Sequence, residues 1–342
     1  MALDASAYPH LMDAILGAAP YSALLALRGT SKAFLDRIDR VLFRHLVLAL
    51  PELDDVASRR AGYTISSVHG TRLPVLPVPP PEGLARHPAS WRRLLAVLGL
   101  ARIIDFHSGL PQECLEPLGA GLTRIDVVRM LPRRVAVVPF MPYRIPFKAT
   151  TLVFRAGAAE PTPRNRYKLY PTAFWSDRQV SRVVIHTFYE LGGVSAQRPI
   201  ISPSLNHATA GLEELVLLFT ALPKAAAPRL TAAAEHGWQS FQTRTLAENA
   251  ADACINNVEC TVVGLSEADP CWFEFSRGED LETRFEELVT NRICRHLQSL
   301  VGGNVDVPQE YIETCLRKLS FVSREEYERG RDPEQVALER CM

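Results

Sequence analysis

Nine histidines and seven cysteines are the side chains with which this 342-residue chain could run nucleophilic, acid–base or metal chemistry. The cysteines stand at 114, 254, 260, 271, 294, 315 and 341, and no pair has the C-x-x-C spacing of a zinc site. Cys254 and Cys260 have no histidine at ligand spacing nearby, so the thiols read as buried or half-buried structural residues. His107 and His186 each follow a strand-like run, where a pocket can form, but an isolated histidine there is more often structural or solvated. Gly119 and Gly121 form a G-x-G ahead of a strand, the wrong side for a phosphate cradle. The sequence holds no G-x-S-x-G, H-E-x-x-H, G-x-x-x-x-G-K-[ST] or G-x-G-x-x-G. No catalytic, cofactor-binding or metal-ligating residue is therefore expected, and an α/β enzyme with an unfamiliar site is the weaker alternative. Two basic clusters remain, Arg133-Arg134 and the run holding Arg164, Arg166 and Lys168. Each suits either a solvated loop face or contact with an acidic or phosphorylated substrate segment, which guanidinium groups read by paired hydrogen bonds.

Composition narrows the function classes. With 38 Lys+Arg against 38 Asp+Glu the net charge is zero, unlike a nucleic-acid binder or a polybasic membrane binder. Hydrophobic residues make up 47% of the chain, enough for a large core and too many for wholesale disorder. No window offers the ~18 apolar residues of a membrane span, and Met1–Ser6 lacks a basic leader, so a cytoplasmic or nuclear, reducing location is expected. Prolines number 25 against 19 glycines, which predicts long irregular connections.

The elements that position these groups fall into three stretches: 1–50, 51–90 and 91–342. Residues 1–50 read as three short helices. Pro9 suits a first turn, and Leu11, Ile15 and Leu16 form a stripe stopping at Gly17. Pro20 starts a second helix carrying Leu24, Leu25 and Leu27, and Thr30 or Ser31 caps a third carrying Phe34, Ile38, Val41, Leu42 and His45. Residues 51–90 are a bridge, proline-rich at 73–82. Beyond it come β-branched apolar runs at 102–106, 124–128, 151–155, 182–186, 214–219 and 259–264. Separations of some 22 to 45 residues are too long for hairpins and predict parallel strands joined by crossovers. Helices are expected at 112–118 and 243–255, whereas 131–148, 158–175 and 191–210 read as loops. Because so many crossovers lack a helix, an irregular repeat sheet is favoured over a doubly wound one. A long helix at 280–300, another through Tyr311, Ile312, Cys315, Leu316 and Leu319, and a capping box at Ser323 and Glu326 close the chain, covering the last strand's edge.

Two resemblances follow. The strand runs and their spacing resemble leucine-rich repeats, with Leu212, Leu215 and Leu217 in L-x-x-L-x-L spacing. Tyr8-Pro9, the run Thr30-Ser31-Lys32-Ala33-Phe34 and Leu42-Phe43 resemble the opening, middle and end of an F-box, with Tyr in place of Leu and Phe twice in place of Trp. The close Phe321-x-x-x-Glu325-Glu326-Tyr327 is similar to the ends of fungal F-box-like proteins. The F-box resemblance implies an α+β or α/β chain in which a three-helix F-box-like unit precedes an irregular leucine-rich-repeat-like parallel sheet with C-terminal helices. It implies a substrate receptor of an SCF ubiquitin ligase, partnered by the SCF adaptor, the cullin scaffold and a protein substrate. Pro9, Ile15, Leu24, Leu27, Thr30 and Phe34 are its implied adaptor surface, several of which can instead form the trihelical core. A non-catalytic scaffold outside any ligase is the alternative within the same fold.

Overall fold

Apolar spacing at each strand start organises this chain. The computed structural model describes residues 8–49, 63–73, 89–107, 112–131, 149–156, 180–190, 211–222, 239–268, 280–303 and 306–339. The chain divides into two compact units, residues 1–128 with 146–149, and 129–145 with 150–342. The loops expected at 158–175 and 191–210, nearly all of that at 131–148, and most of the proline-rich bridge lie outside the described residues.

The first unit opens with α1 (Pro9–Ala18), α2 (Tyr21–Arg28) and α3 (Lys32–Leu42), as the three stripes predict. Pro9 stands in the first turn of α1, and the Ser31 hydroxyl accepts the Phe34 N–H to cap α3. The helix stripe was expected to run on to His45, but α3 stops at Leu42 and His45–Ala49 is a strand, β1. Its alternation of half-buried His45, Val47 and Ala49 with buried Leu46 and Leu48 has a period of two, which a helix cannot satisfy. Strand β2 (Thr64–Ser67) pairs antiparallel with β1, and β3 (Ile103–His107) pairs with it in parallel. Helix α4 (Ala89–Leu98), which the sequence reading did not expect, begins at the end of the stretch read as a bridge and buries Trp91, Leu94 and Leu98. Helix α5 (Gln112–Gly119) then leads to β4 (Val127–Leu131), which neighbours β3.

The second unit holds β5 (Thr151–Ala156), β6 (Arg182–Glu190), β7 (Glu214–Leu222), β8 (Glu259–Val263) and β9 (Leu319–Val322), side by side in that order and all parallel. Helix α6 (Gln239–Ile255) joins β7 to β8. Helices α7 (Leu281–Val301) and α8 (Gln309–Leu316) lie between β8 and β9, followed by α9 (Arg324–Arg329) and α10 (Pro333–Glu339). Leu319, read as the end of a helix, and Phe321, read as following it, instead build β9, so the C-terminal stretch extends the sheet by a strand as well as packing on it. Gly302 takes a left-handed backbone (φ 76°) and ends α7, leaving Leu300 and Val301 exposed rather than on the buried stripe of Leu281, Phe285, Val289 and Ile293.

The L-x-x-L-x-L spacing noticed at 212–217 recurs with other apolar types. Phe43, Leu46 and Leu48 have it in the first unit, as do Ala101, Ile104 and Phe106; Ala149, Leu152 and Phe154 have it, as do Val180, Val183 and Ile185. Register keeps the rows aligned: Leu46 lies opposite Ile104, Leu152 opposite Val183, Val183 opposite Leu215 and Leu215 opposite Cys260. One backbone device accompanies the rows. The Arg44 carbonyl accepts the N–H groups of both Arg102 and Ile103 (2.8 and 3.0 Å), and the Arg102 carbonyl those of Asp126 and Val127. In the second unit Thr150 serves Ser181 and Arg182 in the same way, and Ser181 serves Glu213 and Glu214.

The G-x-G of the sequence has a packing role. A β-carbon at Gly121 would stand 2.9 Å from Leu98 Cβ and 3.0 Å from Leu95 Cδ2, so only glycine lets the turn after α5 approach α4. Gly121→Ala is expected to cost about 1–3 kcal/mol. Gly17→Ala, within α1 and with nothing inside 4 Å, should gain about 0.5–1 kcal/mol. Urea denaturation midpoints measure both, and a neutral Gly121→Ala would refute the close approach.

Candidate functional site

The short helices α1–α3 must share a small core. Leu16 from α1, Leu24 from α2, and Ile38 and Leu42 from α3 supply it. Two polar ties hold the trio: Arg28 clasps both carboxylate oxygens of Asp39 through Nε (2.6 Å) and Nη2 (3.2 Å), and Arg37 reaches Asp13 at 4.0 Å. The Arg28 guanidinium also lies 5.8 Å from the Phe43 ring centroid, anchoring α2 beside the chain that becomes β1.

Once this core is filled, apolar side chains are left over. Tyr8, Leu11 and Ile15 are 56%, 49% and 52% exposed, and Leu25 is 41% exposed. Leu11 and Ile15, four residues apart on α1, share one face at least a quarter turn away from buried Leu16, and exposed Tyr8 directly precedes the helix. A water-facing row of large apolar side chains on a helix is the feature a docking surface needs. Of the residues expected there, Pro9 and Ile15 are exposed, Leu27 and Phe34 half-buried, and exposed Thr30 donates its hydroxyl proton to the Leu27 carbonyl at 2.7 Å. Leu24 is 2% exposed and belongs to the core; its neighbour Leu25 takes the outward position. The sequence reading grouped Leu11, Ile15 and Leu16 as one stripe. Splitting that stripe into an inward Leu16 and an outward Leu11–Ile15 row was available from the 100° step per residue.

Arg164, Arg166 and Lys168 lie outside the described residues, as do Arg133 and Arg134. His186 belongs inside β6, longer than the run that suggested it, and its Nε2 is 2.7 Å from Thr220 Oγ1. His45 Nε2 lies 3.0 Å from Asp105 Oδ1, tying β1 to β3. Among the described residues no three His, Cys, Asp or Glu side chains gather as a metal would need, and no helix is long and apolar enough to cross a membrane. Cys254, Cys260 and Cys315 are free and buried, as the sequence suggests; burial pushes the Cys254 thiol up to about 12 and holds Cys260 and Cys315 high as well. Such thiols stay protonated and are poor nucleophiles at neutral pH.

Among the described residues a polar cluster closes the second unit. Arg182, at the start of β6, contacts Glu214 of β7 (2.9 Å), Glu339 of α10 (2.9 Å) and the Tyr327 hydroxyl of α9 (2.5 Å). Tyr327 donates to Glu339 at 2.6 Å, Gln335 donates to the other Glu339 oxygen, and Arg331 pairs with Glu214. Burial first, then the Glu339 charge, raises the Tyr327 phenol far above its ordinary range, so it remains a fixed donor. The capping box of Ser323 and Glu326 starts α9, and Phe321 packs edge-on against Phe285 at 6.3 Å. Within the Phe-x-x-x-Glu-Glu-Tyr close, Tyr327 ties α9 to β6 through Arg182, while Glu326 caps its own helix. With its charges paired, this cluster is a clamp and offers no free acid or base.

Arg182→Met would strand Glu339, itself 1% exposed, and is expected to cost about 3–5 kcal/mol. Adding Glu339→Gln should recover part of that loss; a double-mutant cycle by urea unfolding checks the sign. Comparison with family models, with curated proteins and with solved structures gives no match to this chain.

Proposed function

We propose that this chain is a non-catalytic interaction protein, a substrate-recognition subunit of an SCF-type ubiquitin ligase in the cytoplasm or nucleus. In this reading α1–α3 are an F-box-like unit that docks on the helical adaptor, through which the cullin scaffold is reached. The sheet region, read as an irregular leucine-rich-repeat-like array, captures a protein substrate. The observation that carries the reading is the exposed apolar row of Tyr8, Leu11 and Ile15 with Leu25, raised on a trihelical core that fills without it.

The recurring L-x-x-L-x-L spacing and the shared carbonyl at successive strand starts support the repeat reading. As a receptor the chain performs no reaction. It raises the local concentration of a substrate lysine near the charged conjugating enzyme, an effect of proximity.

Leu11→Asp with Ile15→Asp places two carboxylates on the exposed row without touching the core. Co-precipitation of adaptor and cullin should fall by about tenfold or more, since charge at the centre of an apolar interface is left desolvated and unpaired. An unchanged thermal transition shows that the fold is intact. Undiminished capture by a folded double mutant, or no capture by the wild type, would remove the ligase assignment.

A further inference from the structure

Alternation along β6 and β7 gives the sheet of the second unit two unlike faces. Ile185, Leu217, Val262 and Phe321 stand level on one face, where Phe321 meets Phe285 of α7. Arg182 and Val184 of β6, with Glu214, Val216 and Thr220 of β7, belong to the other. That second face carries α9 and α10. Tyr327 and Glu339 meet Arg182, Arg331 meets Glu214, and Arg324 Nη1 reaches Thr220 Oγ1 at 3.4 Å. Further along the same face, Thr261 of β8 is half-buried and Ser320 of β9 exposed.

Polar groups, more than a core, hold this cover in place. Helices α9 and α10 have six and seven residues, too few for a helix to persist by itself in water. Their buried residues are Tyr327, Val336 and Glu339, with one aliphatic side chain among them. Buried ion pairs add little net stability, because desolvation offsets their attraction. When the segment lifts, Arg182 keeps Glu214 at 2.9 Å and Glu339 returns to water, so neither charge is left buried alone. Lifting therefore differs from Arg182→Met, which strands Glu339 in place. A segment attached in this way opens below the free energy of global unfolding.

We propose that α9–α10 is an autoinhibitory strap over the substrate face of β6 and β7, displaced by a protein segment of like chemistry. The inference rests on the receptor reading above. The strap's own groups define what the incoming segment offers: a carboxylate beside an aromatic hydroxyl for Arg182, and a cation for Glu214. Thr261 and Ser320 give that segment a first foothold beside the strap.

A fluorescein-labelled peptide of residues 323–339, added to the full chain, tests this by anisotropy. In Arg331→Glu the tethered strap faces Glu214 with a like charge. The peptide should bind this variant about tenfold or more tightly than wild type, where the intact strap competes at high effective concentration. The same peptide carrying Tyr327→Phe and Glu339→Gln should bind the variant about tenfold less tightly. Equal binding to variant and wild type, no binding to the folded variant, or no loss with the altered peptide would overturn the strap. Native-state hydrogen exchange of the wild type is a second test that does not need the variant. Amides of α9 and α10 should exchange about a hundredfold or more faster than those of β6 and β7, and equal rates would also overturn it. Adaptor capture by the same wild-type protein separates the two readings. Absent capture removes the receptor and with it the substrate face, whereas a failed peptide test with capture intact removes the strap alone.

Discussion

The constraint on which this structure rests is alignment of one strand start with the next. A single carbonyl, Arg44 in the first unit or Thr150 in the second, accepts two successive N–H groups from the following strand. This fixes register to the residue, and in a sheet a slip of one residue would turn every side chain to the opposite face. Because register is fixed, Leu152, Val183, Leu215 and Cys260 stack as one row, with Phe154, Ile185, Leu217 and Val262 as the next. Those rows are buried, and each neighbouring strand covers the last. Crossovers can then differ in length and form, since the sheet is specified at the strand starts rather than by them.

The same alignment places the polar groups. Arg182 and Glu214 lie opposite each other as the first residues of β6 and β7, so they can share the C-terminal clamp. Without that register neither Tyr327 nor Glu339 would find a cation at the right height. In the first unit the identical device sets Arg44 and Arg102 side by side just ahead of neighbouring strands. One backbone geometry therefore positions the ion network of the second unit and sets Arg44 beside Arg102 in the first.

Much of this was legible in the residues. Six strand runs were visible because strands buried on both faces need near-continuous β-branched apolar stretches, and their separations excluded hairpins. Strand β1 was hidden because His45 also fits the i, i+3, i+4 spacing of α3, and only the buried–half-buried alternation after Leu42 separates the two. Strand β9 has four residues, too few for a period to declare itself. Helix α4 sits behind a proline-rich stretch that masked its Trp91, Leu94 and Leu98 stripe. At the docking surface, a Leu-Leu pair cannot say which member faces inward, and packing chose Leu24.

Under the proposed reading the N-terminal helices are a docking face, and strands β5–β9 take no part in adaptor binding. Hydrogen–deuterium exchange of the full chain, with and without purified adaptor, addresses this directly, because amides covered by a partner lose their local opening. The account predicts slowed exchange confined to residues 8–34, with β5–β9 unaltered. Unaltered exchange in α1–α3 at saturating adaptor, or protection confined to the sheet, would contradict it.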